Sequence, residues 1–202
     1  MQVNEILKLS AIFAGEEEVA SSLMLNPVNA LMEPEEEDLT PVIQDDESVI
    51  QKANTFLTCL NLIIEDIAKD YLPLLCEEEI AFTDKKFEYN KLSNVISDVI
   101  KLQTLTGLSL KFKCFPSFIK AETNKAVITY TYLPDEVTFG QEFNFFDNKL
   151  TPRIIAYGVA MEYLFLNSLS DESAIWESRF LNSLESALRK KHNVTLPKRR
   201  WL

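Results

Sequence analysis

An α+β fold follows from three features of the sequence. Both ends carry apolar residues at helical spacing, the middle from about 74 to 149 carries short runs of aromatic and β-branched residues, and turn-forming residues separate those runs. Helical flanks around a strand-rich middle predict an α-helical bundle with an inserted small antiparallel β-domain. With 202 residues and 47% hydrophobic content, the chain can bury a substantial core, alone or with a small appendage.

Residues 3–24 read as the first helix of that bundle, with Ile6, Leu9, Ile12 and Phe13 on one face, and with Glu16 to Glu18 either in its interior or at a break near Gly15. Pro27, Pro34, Pro41 and the acidic run Glu35 to Asp38 disfavour regular structure, so residues up to 47 complete an N-terminal unit of helix and acidic linker. Ser48 is the expected cap of the most regular helix. Ile50, Ala53, Phe56, Leu57, Leu60, Ile63, Ile64, Ile67 and Tyr71 line one face of it, and Pro73 ends it.

Residues 74–149 form the β-rich insertion. Ile80–Thr83 and Lys86–Tyr89 are expected to pair as a hairpin about Asp84 and Lys85; further strands are expected at Val99–Leu105, Leu108–Phe115, Phe118–Ala121 and Ala126–Tyr132, with turns at Gly107 and Asn124. Leu110, Phe112 and Cys114 alternate with Lys111 and Lys113, and Val127, Thr129 and Thr131 with Ile128, Tyr130 and Tyr132, which predicts one wet and one packed face. Leu133 to Glu136 ends the sheet, and an irregular aromatic stretch, Phe139 to Phe146, leads back to the bundle.

Residues 150–193 supply its remaining helices. Thr151 can cap the free amides of a first turn, and Pro152 loses nothing at the first helical position. From Ile154 to Leu166 only Glu162 is charged, and the apolar residues run all the way round, the pattern of a helix buried on most sides. An interior glycine costs roughly 1 kcal/mol relative to alanine, so Gly158 implies close approach by a neighbouring element. Ser170 or Asp171 starts a second helix with Trp176, Phe180, Leu184, Ala187 and Leu188 on its apolar face. Tyr157, Gly158 and Trp176 are the residues assigned to subunit packing. Arg189, Lys190 and Lys191 crowd the last turn, where cations complement the helix dipole.

Charge is unevenly distributed. Residues 1–50 hold nine Glu and three Asp against the single Lys8, whereas residues 189–202 hold six cations and no acid. Opposite ends of this kind can pair between neighbouring subunits. The basic end, 194–202, reads as a docking tail whose partner-docking residues are Pro197, Lys198, Arg199, Arg200, Trp201 and Leu202, with Trp201 and Leu202 as apolar anchors and Arg199 and Arg200 pairing with carboxylates of a partner. Sequence-specific DNA binding fits less well, because the acidic bulk repels a duplex.

Enzyme chemistry finds little support. His192 is the only histidine and sits among cations near a helix end; four glycines make no phosphate-cradling loop; no triad or metal set assembles, and no cofactor is implied. Carboxylate neighbours such as Glu65-Asp66 and Asp135-Glu136 point apart or lie in a turn. Cys59, Cys76 and Cys114 match no zinc spacing and read as buried reduced thiols. No apolar run approaches the ~20 residues that span a bilayer, and the N-terminus has no secretory pattern, so no membrane and a cytoplasmic site are expected.

Four stretches carry a resemblance. They are Asn61 to Ala68 with Tyr71-Leu72-Pro73-Leu74, Tyr130 to Pro134, Pro152 to Tyr163, and Leu196 to Trp201. In these the chain resembles the head-to-tail adaptor (connector) proteins of tailed bacteriophages, of the tail tubular protein A type, over most of residues 48–202. The resemblance implies a structural virion protein: a neck ring of about twelve copies, bound to the portal protein and to a tail tube or nozzle protein, lining the channel for DNA ejection. Genomic DNA would pass without sequence-specific binding, and an acidic wall suits that passage. Within the virion the alternative is a tail-completion or terminator protein elsewhere in the neck; outside it, a cytoplasmic bacterial protein-interaction module.

Overall fold

Gly15 divides the N-terminal helix in two. Its φ of +79° is one that side chains rarely tolerate, and it follows α1 (Val3–Phe13) and precedes α2 (Glu17–Leu25). The computed structural model describes residues 1–25, 47–146 and 149–189; the linker at 26–46 and the tail from Val194 to Leu202 lie outside them. α3 (Glu47–Asp66) begins one residue before Ser48, which therefore lies inside the first turn instead of capping it. A π-helical turn, Ile67–Tyr71, continues α3 to the expected stop before Pro73. α4 (Pro152–Leu166) and α5 (Ser170–Leu188) form a helical hairpin. Thr151 holds the cap position of α4 with extended backbone, but its hydroxyl makes no cap bond; only its carbonyl receives the first amides, from Ile154 at 3.0 Å and Ile155 at 3.4 Å.

The helices share one core. Ile6, Leu7 and Ala11 of α1, Phe56, Leu60 and Ile64 of α3, Ile155 and Val159 of α4 and Leu184 of α5 are all buried in it. Phe56 stacks on Tyr163 with ring centroids 3.9 Å apart. α1 and α2 thus belong to the bundle, as expected. The irregular stretch after the strands closes the bundle from below: Val3 N donates to Gln141 O and Phe143 N to Met1 O, each at 3.0 Å, and Gly140 N donates to Asn4 Oδ1 at 2.9 Å.

The insertion is two three-stranded antiparallel sheets. β1 (Leu74–Ala81), β6 (Lys125–Tyr132) and β3 (Ile96–Gln103) form one in the order β1-β6-β3; β2 (Lys86–Glu88), β5 (Phe118–Ala121) and β4 (Phe112–Cys114) form the other in the order β2-β5-β4. Ile80, Leu102, Ile128 and Tyr130 of the first sheet and Phe87, Ile119 and Ala121 of the second share a second, smaller core. The expected hairpin shrinks to its turn. Asp84 and Lys85 both take positive φ, as a type I′ turn requires, and the Thr83–Lys86 bridge forms, but β1 and β2 then part into different sheets. The two-faced pattern expected for the last strand also fails, because β6 is central. Its inner residues Ile128 and Tyr130 are buried as expected, yet Thr129 and Thr131 on the outer face are buried too. Glu77 and Lys101 reach across Thr129 to pair at 3.3 Å, with Thr129 Oγ1 donating to Glu77 at 2.9 Å, and Thr131 exchanges hydrogen bonds with Asp98.

Cys59 is buried, Cys76 partly so, and Cys114 is exposed, correcting the expectation of three buried thiols. Cys114 ends β4, a strand at the sheet's edge, where the alternation of Leu110 and Phe112 no longer has a core to face.

Candidate interaction surfaces

Of the residues singled out in the sequence, Pro197, Lys198, Arg199, Arg200, Trp201 and Leu202 fall outside the described part of the chain, and Tyr157, Gly158 and Trp176 come together in the bundle. Gly158 is buried where α3, α4 and α5 meet. A methyl group added to it would stand 3.0 Å from Ile63 Cγ2 and 3.1 Å from Phe180 Cε2. The close approach inferred from this glycine is a contact between helices of one chain.

Tyr157 and Trp176 face outward from that contact and meet Phe13 of α1. The three rings lie 4.9 to 5.5 Å apart, each half-buried, a spacing at which aromatic pairs gain beyond their area. Two arginines lie over the cluster. The Arg179 guanidinium sits 4.6 Å from the Trp176 ring, and Arg153 lies over Tyr157 at 5.5 Å while its Nε donates to the Tyr157 hydroxyl at 2.6 Å. Beside the cluster an open concavity of about 590 Å³ runs between α4 and α5, lined by Arg153, Tyr157, Asn182 and Ser186 among others. Aromatic and arginine side chains are the residues that most often anchor protein interfaces. Neither arginine stood out in the sequence. Helical spacing places Arg153 one turn before Tyr157 and Arg179 three residues after Trp176, but only the packing of α4 on α5 joins the two pairs.

The turn of the helical hairpin is apolar and open. Phe165, Leu166, Leu169 and Ile175 are 45–61% exposed around the turn, where Ser168 takes a φ of +62°. Helix α4 therefore answers to its all-round apolar pattern only as far as Leu164.

Titratable groups concentrate where α2, α3 and α4 meet. Glu16 accepts from Lys52 at 2.7 Å and from the Tyr163 hydroxyl at 2.8 Å. Burial alone pushes its carboxyl up, but these two hydrogen bonds with the Lys52 charge outweigh it and hold the group below the usual range. Burial, then Glu16, pushes the Tyr163 phenol well up. Beside Tyr163 on α4, burial raises Glu162, helped by Asp66 of α3; burial also raises Asp66, helped by Asp70. Burial pushes the Cys59 thiol up to about 12, so it is no nucleophile. The carboxylates weighed in the sequence as pairs do converge across elements: Glu65, Asp135 and Glu136 line a cleft of about 170 Å³ between α3 and the chain after β6. Glu65 is already paired there with Lys69. No group of side chains suited to holding a metal occurs among the described residues, and no described helix is long and apolar enough to cross a membrane.

No protein-family model and no curated protein matches the chain.

Proposed function

We propose that this chain is a structural subunit of a bacteriophage neck, a head-to-tail adaptor that assembles as a ring between the portal and the tail and borders the DNA exit channel. The observation that carries the reading is the architecture: a helical bundle whose third and fourth helices are separated by a β-rich insertion, as the resemblance in the sequence implies. Two unlike surface features of the α4–α5 hairpin support it. A ring closes only through heterologous contacts, so each subunit needs two unlike flanks. The arginine-covered aromatic cluster and the open turn differ in chemistry, the one cationic and aromatic, the other uncharged and apolar. The subunit is not an enzyme in this reading. Its tail, 194–202, docks on a partner, with Lys198, Arg199 and Arg200 pairing to carboxylates and Trp201 covered.

The test is reconstitution of the subunit with portal rings, read by electron microscopy and native mass spectrometry. Closed rings stacked on the portal are expected. Deleting residues 195–202, or replacing Lys198, Arg199 and Arg200 by Glu, should abolish attachment while leaving the monomer's thermal midpoint unchanged, and wild-type attachment should weaken with salt. A subunit that stays monomeric and ignores the portal would refute the adaptor reading; a truncated protein that still docks would refute the role of the tail.

A further inference from the structure

The two sheets of the insertion treat their outer faces differently. In the first, the residues opposite one another across the strands are Glu77, Thr129 and Lys101, so opposite charges meet over a hydroxyl. In the second, the corresponding row is Lys86, Lys120 and Lys113, three like charges on three neighbouring strands, all exposed. Like charges directly opposite in a sheet are destabilising. With strands about 4.8 Å apart, the row is roughly 10 Å long. Lys111 follows the same parity beyond Lys113 and is exposed as well. The nearby acids are already engaged, Glu122 with Lys85 and Glu88 with Lys91. Among the described residues no carboxylate forms an ion pair with Lys86, Lys111, Lys113 or Lys120, although Glu122 also attracts Lys120. Next to the row, Phe115 and Phe118 stack at 4.6 Å between ring centroids; Lys86 lies over Phe118, and Phe115 is 40% exposed.

We propose that this face binds single-stranded nucleic acid, its phosphates following Lys86, Lys120 and Lys113 and a base stacking on Phe115. The lysines alone suit any polyanion. The exposed aromatic ring selects among them, because an unpaired base offers a flat face to stack and an acidic polypeptide offers none. A duplex keeps its bases stacked on each other and would also meet the acidic remainder of the protein. The inference goes beyond the adaptor reading and does not need the ring.

Fluorescence anisotropy of a labelled oligothymidylate with the full-length isolated subunit tests it, so the result is independent of portal assembly. The logarithm of affinity should fall with the logarithm of salt with a slope of about −2, from about 0.7 per phosphate neutralised on a single strand. The triple variant K86A/K113A/K120A should bind at least tenfold more weakly at low salt with a slope near zero, while circular dichroism and the thermal midpoint report an intact fold. Phe115→Ala should weaken binding several-fold and leave the slope unchanged; Lys69→Ala, on the bundle, should change neither. Absence of binding at low salt, or binding untouched by the triple variant, would overturn the proposal. So would polyglutamate competing as well as oligothymidylate, which would assign the face to an acidic protein, or a duplex binding as tightly as the single strand.

Discussion

Replacing Gly158 by alanine tests whether the three-helix contact is as tight as its geometry states. Removing a glycine from a helix interior should by itself stabilise the chain by roughly 1 kcal/mol. The new methyl, however, meets Ile63 Cγ2 at 3.0 Å, Phe180 Cε2 at 3.1 Å and Ile63 Cδ1 at 3.2 Å. Both partners are themselves buried, Ile63 at 2% exposure and Phe180 at 5%, so neither can swing into solvent. Overpacking of this kind costs about 1–3 kcal/mol, which leaves a net loss of about 1 kcal/mol. In a chain of this length that lowers the thermal midpoint by about 2–4 °C. Thermal unfolding of Gly158→Ala, Ile63→Val and the double variant would read both the loss and its origin. Ile63→Val alone should cost about 0.5–1.5 kcal/mol, and less in the alanine background, where removing Cδ1 relieves a contact. A midpoint raised by Gly158→Ala, or costs that simply add, would refute the reasoning, since either result means that the helices withdraw freely.

Two further predictions rest on titration and exposure. Burial raises the Glu162 pKa, so its favourable contribution is complete below the unfolded carboxylate value of about 4.3 and is lost as pH rises through its higher folded value; Glu162→Gln should therefore raise the thermal midpoint at pH 7 and lose that advantage below about pH 4, and a lower midpoint at pH 7 would contradict it. In the native protein Cys114 should react fastest with an aromatic disulfide reagent, Cys76 more slowly, and Cys59 only on unfolding, because its buried thiol titrates near 12; early labelling of Cys59 by mass spectrometry would show that the bundle opens locally.

The helices were legible because each buries one side against a single core, and that need fixes the spacing of its apolar residues. Gly15 and Gly158 stood out for the same reason, since each interrupts a helical pattern at a physical cost. The sheets were only partly legible. β1 begins at Leu74, earlier than the pattern predicts, because Glu77, Glu78 and Glu79 interrupt it; Glu77 covers Thr129, and Glu78 accepts the hydroxyl of Tyr130. Neither purpose exists until β6, some fifty residues later, is in register. The lysine row is hidden likewise. Lys111 and Lys113 alternate visibly, but Lys86 and Lys120 join them only through strand order, which local spacing does not encode. Among the interaction residues, Tyr157 and Trp176 were legible as large aromatics on helical faces, whereas Phe13, Arg153 and Arg179 entered through the packing of helices distant in sequence.

The fastening of the first helix to the returning chain sets an order on how the protein is made. Val3, Ile6, Leu7 and Ala11 are fully covered only when α3, α4 and the residues around Gln141 to Phe143 are present. α1 leaves the ribosome about 150 residues ahead of the end of α4, a gap of roughly 8–30 s at common translation rates of 5–20 residues per second. During that interval the β-insertion can already close on its own core, and α1 waits with an uncovered apolar face. A nascent chain of this design should recruit holding chaperones early and release them only once α4 has emerged.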